Sequence, residues 1–165
     1  MAAHLPHLLE IAGASTTAAI GAAALVGPAQ VAARLVEYGA LRTVHPLISA
    51  RIAAVLHPIG AVIIGLMGPG AVTAFALLHG AGNGLLTIAK GTLPLSIFGP
   101  VGYGLRSGLL GAPARATQAA SPLLFGLLMD HMGVSVLAVS AGLSLSAFFA
   151  LLLLKARSAA TPVPI

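Results

Sequence analysis

Apolar runs too long and too poor in charge for a soluble core dominate this chain. Five of them reach the roughly 20 residues that a helix needs to cross a hydrocarbon layer. They run from about Ser15 to Glu37, Leu47 to Met67, Ala71 to Lys90, Gly108 to Asp130 and Val134 to Lys155. Only three acids and eight lysines and arginines accompany them in 165 residues, a charged fraction of 7%. A soluble domain carries about 25% and could not clothe its surface from this supply. Lipid removes the requirement, because the outside of a bundle can then be apolar while each helix satisfies its own backbone. The expected fold is all-α, a polytopic membrane helix bundle of about five spans. Residues 1–14 form an outer lead segment, 15–155 the bundle, and 156–165 a cytoplasmic tail that two prolines keep frayed.

Punctuation fits these runs. Ser15, Thr16 and Thr17 offer caps to the first, Pro46 precedes the second, and Gly68-Pro69-Gly70 closes it. The stretch Gly91–Leu105 is apolar but broken by Pro94, Gly99-Pro100, Gly102 and Gly104. It reads as an interfacial connection lying against the bundle. With the N-terminus outside, all eight basic residues (Arg34, Arg42, Arg51, Lys90, Arg106, Arg115, Lys155 and Arg157) fall at inner ends and loops. The outer segments around 1–14, 68–70 and 131–133 hold none, which predicts an N-out, C-in protein of the plasma (inner) membrane. Met1–Gly13 has no Lys or Arg ahead of an apolar core and no cleavage site, so it does not read as a signal peptide.

Several function classes fall away. Nucleic acid is not an expected partner, because the basic residues form no single patch and two tyrosines and five phenylalanines give little to stack on. Cysteine is absent, which removes disulfides and thiolate metal sites. His4, His7 and Glu10 make too ordinary a pattern for a metal site, and no cofactor or metal is expected. No His-Glu-x-x-His or phosphate-loop pattern occurs, and Asp130 has no acidic partner for an aspartyl mechanism, so the chain is not expected to be an enzyme.

Polar groups inside a span are costly and need a reason. On the first helix Gln30, Arg34 and Glu37 share a face. Either they line a cavity, or Arg34 snorkels to the headgroups and pairs with Glu37. On the third, His79 and Asn83 lie one turn apart near mid-membrane, and Lys90 returns to their face at the inner end. A substrate site or proton relay suits His79, and an interhelical hydrogen bond is the plainer alternative. On the fourth, Arg115 lies about two turns inside the span, followed by Gln118 and Ser121. Its alternatives are a pairing with Glu37 or a helix that starts later, at Pro113. Pro58 is expected to kink the second helix and free a carbonyl for His57. Gly80-x-x-x-Gly84 reads as a close-packing face, and Gly126 is grouped with it as a helix-packing glycine.

Several of these patterns, taken in order, resemble the C-terminal half of a major facilitator superfamily transporter. His4-Leu5-Pro6 followed by Gly13 resembles the outer end of that family's seventh helix, and Gly27-Pro28-Ala29-Gln30-Val31 with Arg34 its eighth. Gly80-Ala81-Gly82-Asn83-Gly84 resembles the tenth, and Arg106-Ser107-Gly108 through Pro122, Gly126, Asp130 and Gly133 the eleventh and its exit. His131 stands where the family's loop signature has a basic residue. The resemblance covers helices eight to twelve. It implies transmembrane transport of a small solute, with Gln30, Arg34, His79, Asn83, Arg115 and Gln118 lining the C-terminal side of the cavity. Arg and His there suit an anion, with sugars, drugs and amino acids still open. The family transports by rocking two halves about a central site. This chain is therefore expected to be a fragment or one component of a split transporter, inactive without an N-terminal half. The other expectation is a non-transporting membrane scaffold or regulatory subunit that assembles with another membrane chain.

Overall fold

The computed structural model describes residues 2–41 and 43–155, all helical or in short turns. Arg42 and the 156–165 tail, with Arg157, lie outside the described residues. A 3-10 turn at Ala2–His4 leads into α1 (Leu5–Ile11), followed by α2 (Thr16–Ala24) and α3 (Val26–Val36), with a π turn at Glu37–Leu41. Then come α4 (Pro46–Met67), α5 (Val72–Phe98), α6 (Tyr103–Met132) and α7 (Val136–Leu153). Taken with the short turns that join them, these make three helical runs long and apolar enough to cross a membrane, at 26, 53 and 51 residues. Length and apolarity together give the chain the character of an integral membrane protein.

Local chemistry sets the boundaries. Ser15 Oγ accepts the backbone N–H of Ala18 at 3.3 Å and caps α2. Pro28 has no N–H to give the Ala24 carbonyl, so the helix breaks there and resumes as α3. His45 Nδ1 accepts the Leu47 N–H at 3.2 Å ahead of Pro46, which sits in the first turn of α4.

A straight run of 53 residues would be about 80 Å long, so it has to fold. It reverses at Gly68, whose φ of +63° favours a residue without a Cβ. The contacts between α4 and α5 then run antiparallel: Gly60 lies against Phe75, His57 meets His79, and Gly82 lies against Ala53. The last run reverses in the same way at Gly133, φ +56°. α7 returns antiparallel to α4, with Ser140 bonded to His57 and the Leu151 carbonyl to Arg51. α3 runs parallel to α5, Val26 and Ala29 facing Gly80 and Gln30 and Ala33 facing Gly84.

One end of the bundle is plugged. α1 buries Leu5, Leu8 and Leu9 among Val72, Phe75, Met129 and Val136. An amphipathic helix therefore occupies what the sequence reading treats as a lead segment. Arg34, Arg51, Arg106 and Lys155 fall towards the opposite end, with Lys90 and Arg115 further in along α5 and α6. There Arg51 donates through Nε and Nη2 to the Leu151 carbonyl at 3.2 and 3.1 Å, and through Nη2 to that of Leu154 at 2.9 Å. These are the last carbonyls of α7, where a cation also complements the helix dipole. Arg51→Ala is expected to lower the thermal unfolding midpoint in detergent, since charged hydrogen bonds are worth about 1.5–3 kcal/mol. An unchanged midpoint would mean that this clamp adds no stability.

The stretch read as an interfacial connection is mostly helical. α5 continues past Lys90 and through Pro94 to Phe98, and α6 starts at Tyr103, five residues before the expected Gly108. Tyr103 donates its hydroxyl to the Gly91 carbonyl at 2.8 Å, and Arg106 Nη1 donates to that of Phe98 at 2.7 Å while lying over its ring. These bonds draw α5 and α6 into a tight turn. Pro113 consequently lies inside α6, so a helix starting there is ruled out as the reason for the position of Arg115.

Candidate functional site

Where the middle of α4 packs against the first halves of α5 and α7, four polar side chains meet inside apolar helices. Ser140 Oγ lies 3.0 Å from His57 Nε2, His57 Nδ1 lies 3.3 Å from His79 Nδ1, and His79 Nε2 lies 3.1 Å from Asn83 Nδ2. Both histidines are 8% exposed. Phe75, fully buried, lies edge-on to His57 at 5.7 Å and stacks on His79 at 5.9 Å, which holds both rings in place. Phe75 is held in turn by Gly60, where a Cβ would come within 3.1 Å of its ring.

Proton counting gives this chain a direction. In one ordering Ser140 donates its single hydrogen to the Leu137 carbonyl at 3.0 Å, and His57 donates from Nε2. A neutral His57 then accepts at Nδ1 from the Nδ1–H of His79, whose Nε2 accepts from the Asn83 amide. Every group is satisfied with both rings neutral. One other ordering is also complete. In it Ser140 turns its hydrogen to His57 and the Asn83 amide rotates to present its oxygen, and every histidine proton changes side. Two neutral orderings related by a shift of protons are what a relay requires.

The four residues open on a cavity of about 260 Å³ between α4, α5 and α7. Its space comes from small side chains, Ala50, Ala53, Ala54, Gly82 and Ala147. Ala54 lines it too, and its carbonyl lacks a helical donor because Pro58 has no N–H. The expectation that His57 would satisfy that carbonyl fails, because both of its ring nitrogens bond other side chains.

The other candidates do not converge on this cavity. Arg115 and Gln118 line a neighbouring cleft of about 510 Å³ between α5 and α6, which shares Ala50, Leu86 and Leu151 with the first. Gln30 and Arg34 pair on α3 at 3.5 Å, with Arg34 exposed. Glu37 is 8% exposed and has no ion pair with Arg34 or Arg115; its Oε2 has no hydrogen-bond partner among the described residues. Gly80 and Gly84 lie against α3: a Cβ would fall 2.6 Å from the Val26 carbonyl oxygen at Gly80 and 2.5 Å from that of Gln30 at Gly84. Gly126 packs against a side chain, the His4 ring, with His4 Nε2 3.0 Å from the Pro122 carbonyl oxygen and able to donate to it. His7 lies 3.8 Å from Glu10, and no group of three metal-ligating side chains comes together among the described residues.

Sequence reasoning placed His79 and Asn83 on one face but missed Ser140, and it gave His57 a local task. The available signal was periodic: Ser140 and Ser144, one turn apart on α7, both line the cavity. The arrangement defines a class, an all-helical protein of membrane character with a chain of four polar side chains between its apolar helices. No family model matches the chain, and no curated protein or solved structure does so either.

Proposed function

We propose that this chain forms one side of a transport pathway for a small solute, built like the C-terminal half of a major facilitator superfamily transporter. The helices would cross the membrane five times, as α2–α3, α4, α5, α6 and α7, with the basic end in the cytoplasm. A second half, supplied by further helices or another chain, would complete the cavity. The observation that carries the reading is the Ser140–His57–His79–Asn83 chain opening on a cavity among apolar helices. Buried polar groups at that depth are expensive in lipid and mark solute or proton pathways.

The test is deletion of the coding region in its host, followed by uptake of labelled sugars, amino acids, carboxylates and phosphate. One class is expected to fall, to recover with the wild-type gene, and not to recover with His79→Leu. Unchanged uptake of every class after deletion would overturn the proposal.

A second reading, a non-transporting scaffold, draws on α6. Met129 is the one buried residue in its 30, and Leu105, Leu109, Leu123 and Leu127 are exposed. A scaffold would co-purify with a defined membrane partner and leave all uptake unchanged on deletion.

A further inference from the structure

The cleft between α5 and α6 has a chemistry of its own. Lys90 enters it from α5, and Arg115 from α6, with its Nε lying back over Gly111. Among the described residues neither has a carboxylate counter-ion: the one ion pair there is His7–Glu10, and none of the acids Glu10, Glu37 and Asp130 lines the cleft. Both cations are exposed at the cleft wall, and an anion between them would relieve their mutual repulsion. In the same wall the Ser107 Oγ is buried without a hydrogen-bond partner among the described residues. Gln118 adds an amide, and Tyr103, bonded to the Gly91 carbonyl, braces the closed end. Two unpaired cations, an orphaned hydroxyl and an amide around about 510 Å³ are the complement of an oxyanion. Arg can take two of its oxygens at once, while Lys acts as a point charge.

We infer that this cleft binds a small oxyanion, a phosphate or carboxylate group held between Lys90 and Arg115 with Ser107 donating to it. This deepens the transport reading and rests on it for the group's role as solute, because the cleft adjoins the His57–His79 cavity through Ala50, Leu86 and Leu151. The group could belong to a soluble solute or to a lipid headgroup, and both present the same oxygens.

The experiment uses the full chain purified in dodecyl maltoside, which carries no phosphate. Inorganic phosphate and sodium succinate are titrated calorimetrically in one arm, and phosphatidylglycerol, followed by native mass spectrometry, in the other. Binding of phosphate or succinate identifies a soluble anion, and retention of phosphatidylglycerol alone identifies a headgroup. In either case Lys90→Gln and Arg115→Gln should each weaken binding at least about tenfold, and Ser107→Ala should weaken it less. Both cations are exposed, so these variants should fold; Arg115→Lys, which keeps the charge but loses the fork, should fall between wild type and Arg115→Gln. The proposal is overturned if the wild type binds none of the three anions, or if Lys90→Gln and Arg115→Gln bind them as the wild type does. Binding without cellular uptake would remove the transport reading and leave the site. Uptake without anion binding would do the reverse.

Discussion

Gly80→Ala combined with Gly84→Ala is expected to separate α3 from α5 and to remove most of the folded, monodisperse protein recovered in detergent. The added methyl at residue 80 would lie 2.6 Å from the Val26 carbonyl oxygen and 2.8 Å from Ala29 Cβ, and that at 84 would lie 2.5 Å from the Gln30 carbonyl oxygen. The obstructing atoms are mostly backbone, so no rotamer change relieves them and one helix must move. Overpacking costs about 1–3 kcal/mol per site, against a gain of about 1 kcal/mol per Gly→Ala from helix propensity. The steric cost should win, because van der Waals contact rather than water exclusion holds helices together in lipid. The control is Gly65→Ala on α4, where a Cβ meets nothing within 4 Å. It should hold or raise the unfolding midpoint. If the double variant behaves like Gly65→Ala, α3 and α5 do not touch at these glycines.

The helical, apolar character of the chain was legible because few charges in long apolar runs leave no soluble alternative. The reversals at Gly68 and Gly133 were legible too, since the apolar pattern stops beside residues suited to positive φ. Harder to see was the helicity of residues 91–98. Pro94 and Gly91 argue against a helix there, yet Tyr103 and Arg106 take up carbonyls of that segment from the next helix, and nothing in the local pattern announces a long-range donor. α1 was missed for a different reason. Leu5, Leu8 and Leu9 have helical spacing, but one short helix has no meaning until the bundle end it plugs is known. The site was half legible. His79 and Asn83 share a helix face, so spacing alone associates them, whereas Ser140 lies 83 residues from His57 and periodicity within a helix cannot join helices to one another.

Replacement of both histidines should cost clearly less than the two single replacements added together. His57→Leu leaves His79 Nδ1–H without its acceptor and Ser140 without its neighbour, and His79→Leu strands His57 Nδ1 and the Asn83 amide. A buried group left unpaired costs about 1–3 kcal/mol, and interhelical hydrogen bonds in membranes average about 0.6 kcal/mol with a maximum near 1.7. Each single variant should therefore lose about 1–2 kcal/mol in a denaturant titration. In the double variant two apolar side chains face each other against Phe75, the central unpaired nitrogens are gone, and the loss should fall clearly below the sum of the singles. Additive losses would mean that the 3.3 Å contact between the rings contributes nothing. Function separates from stability at this point. The double variant, still folded, has no ring left to carry a proton or hold a solute, so uptake restored by the wild-type gene should stay absent. A purely structural pair of histidines would allow the reverse, a stable double variant with uptake intact, because glue between helices can be replaced by leucine and a relay cannot.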